Sequence, residues 1–294
     1  MYAITGATGN TGRRIAEALL SKGKKVRVIG RDAERLKSLA KKGAEAFVGS
    51  LDDAAAMTRA FSGAKAAYAM IPPNLKAENM RVYQNKISEA LAAAIAKARV
   101  QYVVNLSSVG AHLSEKTGPI AGLHDQEQQL NKLKDVHVLH LRPGFFMENF
   151  YWNIDMIKKM GINGSPLKAD LPVSMIATQD IAAAAAQQLA DLDFSGKSVR
   201  ELLGQRDLTM TKATQALGRA IGKPDLKYVQ FPYDEAEKAM LGMGLSASVA
   251  KGFIEMNRAF NEGVIQLNEK RSAANTTPTS IEEFAKQFAA AYSH

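Results

Sequence analysis

Two hydrophobic periods alternate along the first half of the chain. Short apolar runs that read as strands occupy Tyr2–Thr5, Lys25–Gly30, Glu45–Val48, Ala66–Ile71, Gln101–Ser107 and Val136–Arg142. Between them, amphipathic stretches read as helices at Thr11–Ser21, Ala33–Lys41, Asp53–Phe61, Lys76–Ala98 and Leu123–Lys134. Alternation of β and α at these intervals predicts an α/β fold, a Rossmann-type doubly wound parallel sheet with right-handed crossovers. Such a sheet binds its ligand at the carboxyl ends of its strands. After Arg142 the rhythm changes: an aromatic stretch, PGFFMENFYWN, leads into a loop containing Gly and Pro and then into helix-like segments. The alanine-rich run Gln179–Leu192 reads as a helix, and Ser198–Leu203 as a strand returning to the sheet. The second part is therefore expected to be a smaller, mostly helical C-terminal substrate lobe, discontinuous in sequence.

Composition narrows the class. No stretch reaches the roughly 20 uninterrupted apolar residues of a membrane span, and no basic segment followed by an apolar run opens the chain, so the expected location is cytoplasmic, with no membrane partner. Without cysteine there are no disulfides, thiolate metal sites or cysteine nucleophile. The net charge of +9 is concentrated at one end, where residues 1–43 hold eleven Lys/Arg against three Asp/Glu. That excess is either a solvated helix face on Arg35, Lys37, Lys41 and Lys42 or a field that attracts an anionic ligand. Aromatic residues are not interleaved with these charges, so nucleic acid is not an expected partner.

The segment Gly6-Ala7-Thr8-Gly9-Asn10-Thr11-Gly12 follows the first strand and opens the first helix, the context that a dinucleotide-binding loop requires. The first glycine permits the turn, the second lets backbone approach a pyrophosphate, and the third lets helix and sheet pack closely. An acidic side chain at the end of the second strand would select NAD through the adenosine ribose. Here the sequence is VRVIGRDAERL, and Arg31 offers a guanidinium suited to a 2′-phosphate, which favours NADP over NAD. Arg13, or Arg14, supplies a second cation, while Asp32 is a rival for the ribose. Residues 1–149, rejoined by 172–204, are then the NAD(P)-binding domain, and 150–171 with 205–294 the substrate lobe.

GATGNTGRR, VIGRD, NLSSVGA, LRPGFFMENF, SMIATQDIAAAAAQQL and TPTSIEEFAKQF, in that order, resemble the NmrA-like family of atypical short-chain dehydrogenase/reductases. The resemblance runs through almost the whole chain. It implies cofactor contacts at Gly6, Thr8, Gly9, Asn10, Thr11 and Gly12 around the pyrophosphate, with Arg13 and Arg31 toward the 2′-phosphate. Adenine is implied near Ser50, Leu51 and Asp52, although Ser50 stands where relatives commonly carry aspartate. The nicotinamide ribose is implied to pass Met70, Ile71, Pro72 and Ser107, and its ring to approach Pro143, Gly144 and Phe145.

Ordinary short-chain dehydrogenases exchange a proton through a tyrosine placed four residues before a lysine. No such pair exists in this chain. In the family, the helix after the fifth strand often carries a histidine with lysine or glutamate four residues on; the matching GLHDQEQQL keeps His124 but has Gln128, with Glu127 set one step off that face. Any acid role falls to His124, Tyr151 or water. His137 and His140 point to opposite faces of a strand and cannot share a metal, and no GxSxG, HExxH or GxxxxGK[ST] motif is present. An easily reduced, flat, conjugated acceptor such as a quinone needs only hydride, orientation and exclusion of water. Phe146, Asn149 and Tyr151 are the expected substrate contacts. The expected function is an NADPH-dependent reductase of such a molecule; the alternative is a non-catalytic NAD(P) sensor acting through a protein partner.

Overall fold

The computed structural model describes residues 1–294. Its first half contains strands β1 (Tyr2–Ile4), β2 (Val26–Gly30), β3 (Glu45–Val48), β4 (Ala66–Ala69), β5 (Tyr102–Leu106) and β6 (His137–Pro143). Between them run helices α1 (Asn10–Ser21), α2 (Ala33–Ala40), α3 (Ala54–Phe61), α4 (Met80–Lys97) and α5 (Pro119–Asn131). A short β7 (Phe145–Phe146), a 3-10 segment (Met147–Asn153), α6 (Ile154–Met160), β8 (Ile162–Ser165) and β9 (Val173–Ile176) follow. Then come α7 (Thr178–Asp191), β10 (Lys197–Leu202), β11 (Asp207–Leu208), α8 (Met210–Ala220) and β12 (Lys227–Gln230). Helices α9 (Tyr233–Gly242), α10 (Ala247–Asn261) and α11 (Ile281–Tyr292) close the chain.

Seven strands form one parallel sheet in the order β10-β6-β5-β4-β1-β2-β3. This is the doubly wound order, and its direction reverses between β1 and β4, which places the ligand crevice at the carboxyl ends of those two strands. Strands covered on both faces must be apolar throughout, and β1 and β4 are: Ala3, Ile4, Ala66, Ala67, Tyr68 and Ala69 are completely buried. One face packs Ile4 and Val28 against Ile15 and Leu19 of α1 and Ile181 and Leu189 of α7. The other packs Ala67 and Val103 against Met57 and Phe61 of α3 and Leu91 and Ile95 of α4. The edge strand β3 is largely exposed, and Arg27 of β2 covers it through an ion pair to Glu45 at 2.8 Å.

Two helix starts differ from the periodicity. Helix α4 begins at Met80 because the side chain of Asn79 accepts a hydrogen bond from the Val82 N–H at 3.0 Å. Helix α5 begins one turn before Leu123, with Pro119 in its first turn, where the missing N–H costs nothing. A third core lies beyond the large sheet, where Phe284 and Phe288 of α11 meet Phe150, Met175 and Leu217. Strand β9 pairs with β7 and β11 in a small three-stranded sheet, so residues 173–176 lie outside the large sheet. No helix is long and apolar enough to cross a membrane.

Candidate active site

The glycine loop connects β1 to α1 at the reversal point of the sheet. Gly6 lies at φ +59°, where L side chains are strained, and a Cβ there would stand 2.7 Å from the Met70 sulfur. A Cβ on Gly12 would lie 2.4 Å from the Gly6 carbonyl oxygen, so only glycine lets α1 start so close to the loop. Gly9 caps α1 with no side-chain hydrogen bond, leaving the first-turn N–H groups open to an anion. The Thr11 hydroxyl is occupied: it accepts from the Tyr68 phenol at 3.0 Å, which ties α1 to β4. Burial pushes the Tyr68 hydroxyl far above its ordinary pKa, so it remains a donor. Thr8, Gly9 and Asn10 complete the rim, and the last two are exposed.

Arg31 and Asp32 stand side by side at the end of β2 and differ in what holds them. The Asp32 carboxylate caps α2, accepting from the N–H of Glu34 at 2.8 Å and of Arg35 at 3.4 Å. Arg31 is exposed and makes no ion pair. Arg35, one of the basic residues of α2, reaches back to the loop and donates to the Thr8 carbonyl at 3.2 Å. Arg13 pairs instead with Glu17 at 3.3 Å, and Arg14 donates to the Asn10 carbonyl at 3.3 Å. Beyond β3, Ser50 donates to Asp52 at 2.5 Å and Lys86 pairs with the same carboxylate at 2.8 Å. Those contacts, Lys86 first and Ser50 second, hold the Asp52 carboxyl below the usual range. Leu51 is buried beneath them.

From the carboxyl ends of β4, β5 and β6 a cavity of about 350 Å³ opens toward the lobe. Met70, Ile71, Pro72, Ser107, Pro143, Gly144 and Phe145 line it from the sheet side, and Phe146 and Asn149 from the following segment. Val249, Phe253, Met256 and Phe260 of α10 form the opposite wall. Its polar groups, among them Asn74, Gln84, Ser107, Ser108, Asn149 and Asn257, are neutral, and no Asp, Glu, Lys, Arg or His belongs to the wall. Tyr83 is its single phenol; it donates to the Pro72 carbonyl at 3.1 Å, and burial raises its pKa.

A buried ion pair stands behind Ser107 of this wall. Ser107 donates to Glu127 at 2.5 Å, and Arg142 grips the same carboxylate through Nε at 2.9 Å and a terminal nitrogen at 2.6 Å. All three residues are buried. Glu127, one step off the face that carries His124, turns inward, and Gln128 is exposed. One signal was available, since Arg142 stands inside the apolar run HVLHLRP and a buried arginine demands a partner. Deeper on the same side, His140 accepts at Nδ1 from Asn105 at 3.1 Å and donates from Nε2 to Asn131 at 3.0 Å. Burial lowers its pKa to about 4.

The two expected acids stand elsewhere. His124 is not part of the cavity wall; its Nδ1 donates to the Ala111 carbonyl at 2.9 Å. Tyr151 is also off the wall, because the 3-10 turn carries its ring into the lobe core. There it stacks on Phe288 with ring centres 5.9 Å apart and tilts against Phe284 at 5.5 Å. Of the three expected substrate contacts, the structure brings Phe146 and Asn149 to the cavity and not Tyr151.

A family model described as the NmrA-like family matches residues 2–285. An NAD(P)H azoreductase of Xenophilus azovorans is 26% identical over 296 residues, covering 99% of each chain. The fold is that of an NADPH-dependent quinone oxidoreductase from Escherichia coli in complex with NADPH, with a TM-score of 0.82 at 22% identity over 98% of this chain and 99% of that one. It is also that of the Citrobacter sp. triphenylmethane reductase complexed with NADP(H), with a TM-score of 0.81 at 19% identity over 98% and 100%.

Proposed function

The chain belongs to the NmrA-like family, and on that premise we propose that it is an NADPH-dependent reductase passing hydride directly to a flat, conjugated small molecule such as a quinone or an azo or arylmethane dye. The observation that carries this reading is the continuity of two surfaces. Met70, which packs against Gly6 of the anion cradle, also lines, with Ile71, Pro72 and Ser107, an apolar cavity without a charged wall residue. The names of the azoreductase, quinone and dye reductase relatives support the acceptor class.

The residues fit a phosphorylated dinucleotide. Gly12 lets α1 start close against the loop, and the uncapped start of α1 leaves N–H donors for a pyrophosphate. Gly6, Thr8, Gly9, Asn10, Thr11 and Gly12 would hold it, with Arg31 and Arg35 at the 2′-phosphate and Ser50, Leu51 and Asp52 at the adenine. Arg13, engaged with Glu17, has the weaker claim on that phosphate. When bound, the nicotinamide supplies the hydride. The chain's own work is binding, alignment and dryness: Pro143, Gly144 and Phe145 line one side of the reacting space, while Phe146, Asn149 and the α10 wall hold the acceptor flat and exclude water. Tyr83 is committed to Pro72, so the proton that completes reduction comes from water. His124 and Tyr151 have no part in proton transfer in this reading.

Acceptor-dependent oxidation of NADPH across a panel of quinones, azo dyes and arylmethane dyes tests the proposal. Turnover of at least one neutral or cationic planar acceptor is expected. Binding of NADPH without oxidation by any acceptor would refute it in favour of a sensor that works through a protein partner.

A further inference from the structure

The Ser107–Glu127–Arg142 cluster has a definite hydrogen-bond polarity. A serine hydroxyl has one proton to give and two lone pairs to receive. The proton of Ser107 is given to Glu127, at 2.5 Å. Glu127 in turn is held by two Arg142 nitrogens at 2.6 and 2.9 Å, so its oxygens accept on both sides. The Ser107 N–H is likewise used, donating to the Leu141 carbonyl at 2.8 Å. What Ser107 presents to the cavity is therefore an acceptor, strengthened by the carboxylate behind it. A buried ion pair is a poor source of stability compared with apolar packing, and this one stands directly behind a wall that otherwise carries no charge.

We propose that Glu127 and Arg142 are positioning residues that fix Ser107 as a hydrogen-bond acceptor for an O–H or N–H donor of the bound reactants. The inference rests on the functional reading above. The donor has two sources: the hydroxyls or carboxamide of the cofactor's nicotinamide riboside, or the O–H or N–H of the acceptor and its reduced product. A cluster with this polarity makes Ser107 a ligand-sorting group: it favours reactants that offer a proton and disfavours those that present only lone pairs.

The experiment is equilibrium titration of NADPH without acceptor, together with KM for a quinone or dye bearing a donor group and for its methylated counterpart. Wild type, Ser107→Ala, Glu127→Gln and Glu127→Asp are compared. In Ser107→Ala the loss of one such bond weakens a binding constant about tenfold. If the NADPH dissociation constant rises, the donor belongs to the cofactor; if only KM for the donor-bearing acceptor rises, it belongs to the acceptor. In Glu127→Gln the amide oxygen turns to Arg142 and the amide N–H₂ donates to Ser107, whose own proton then faces the cavity. The same constant is expected to weaken, with partial rescue by Glu127→Asp. Ser107→Ala leaves the buried ion pair whole, so the test stands even where Glu127→Gln fails to fold. Changes below twofold in both constants for Ser107→Ala overturn the inference, as does a Glu127→Gln protein that loses thermal stability while keeping both constants. If wild type itself binds no NADPH, the functional reading falls and this inference with it; normal wild-type binding with an indifferent Ser107→Ala removes this inference alone.

Discussion

Replacing Arg31 by alanine separates recognition of the 2′-phosphate from recognition of the rest of the dinucleotide. Arg31 is exposed and unpaired, so its removal strands no buried partner and leaves the fold alone. A hydrogen bond to a charged group contributes roughly 1.5–3 kcal/mol, and exposure with salt screening puts this one at the lower end. About 1.5 kcal/mol corresponds to about a tenfold change in binding. The Arg31→Ala protein should therefore bind NADPH about ten times more weakly and NADH unchanged, measured by fluorescence titration at fixed ionic strength. Arg35 provides the contrast, because its guanidinium also anchors the Thr8 carbonyl at 3.2 Å; Arg35→Ala should weaken both dinucleotides. Asp32 is the control, since its carboxylate caps α2, and Asp32→Ala should cost about 1 kcal/mol of stability without altering the preference. Equal losses for NADPH and NADH in Arg31→Ala, or a wild-type protein that prefers NADH, would refute the reasoning.

Four further outcomes follow from the geometry. Gly12→Ala would drive a Cβ to 2.4 Å from the Gly6 oxygen, where both neighbours are backbone; displacing α1 should lower stability by about 1–3 kcal/mol and weaken both dinucleotides at least tenfold, read by thermal melting and titration. Phe146→Ala should raise KM for acceptors several-fold and leave the NADPH dissociation constant in place, whereas Tyr151→Phe should keep kcat within about twofold, because its ring stacks in the lobe core. His140, with a folded pKa of about 4 against an ordinary value near 6.5, binds its proton more readily when unfolded, so it destabilises the fold as pH drops from about 6.5 to about 4 and has no effect above that window. NMR titration should find it neutral down to about pH 5, with the proton on Nε2.

Much of the architecture is legible because parallel strands buried on both faces must be apolar throughout, and because glycines at 6 and 12 stand where backbone geometry excludes a side chain. The first six strands and their helices could be read from that pattern. What could not be read are properties of side-chain direction and tertiary partnership. Asp32 is a rival to Arg31 for the ribose on sequence alone, and only the structure shows its carboxylate capping α2 through the N–H groups of Glu34 and Arg35. Tyr151 lies in the aromatic run, but a 3-10 turn, which has three residues per turn rather than 3.6, carries its ring away from the cleft that Phe146 lines. Counting from His124 sets Glu127 aside, while its partner is Arg142 of strand β6, which spacing along the helix does not reveal. Arg35 looked like one of several surface cations, and only the packing of α2 beside the glycine loop reveals its contact with Thr8.

The central claim is direct hydride transfer from NADPH to a planar acceptor without a proton donor from the protein. Transfer of deuterium from NADPH labelled at C4, followed by mass spectrometry of the product of an arylmethane dye, by the isotope effect on reduction of a quinone or azo acceptor and by the rate as a function of pH, tests it most directly. One nicotinamide hydrogen should appear in the product wherever it is bonded to carbon, or a primary isotope effect should accompany reduction where it is bonded to oxygen or nitrogen. The rate should vary little between about pH 6 and about pH 8, as expected when no side chain titrates in the reacting space. An NADPH complex that consumes no cofactor with any acceptor, or a rate that follows a single ionisation abolished by His124→Ala or Tyr151→Phe, would contradict the account.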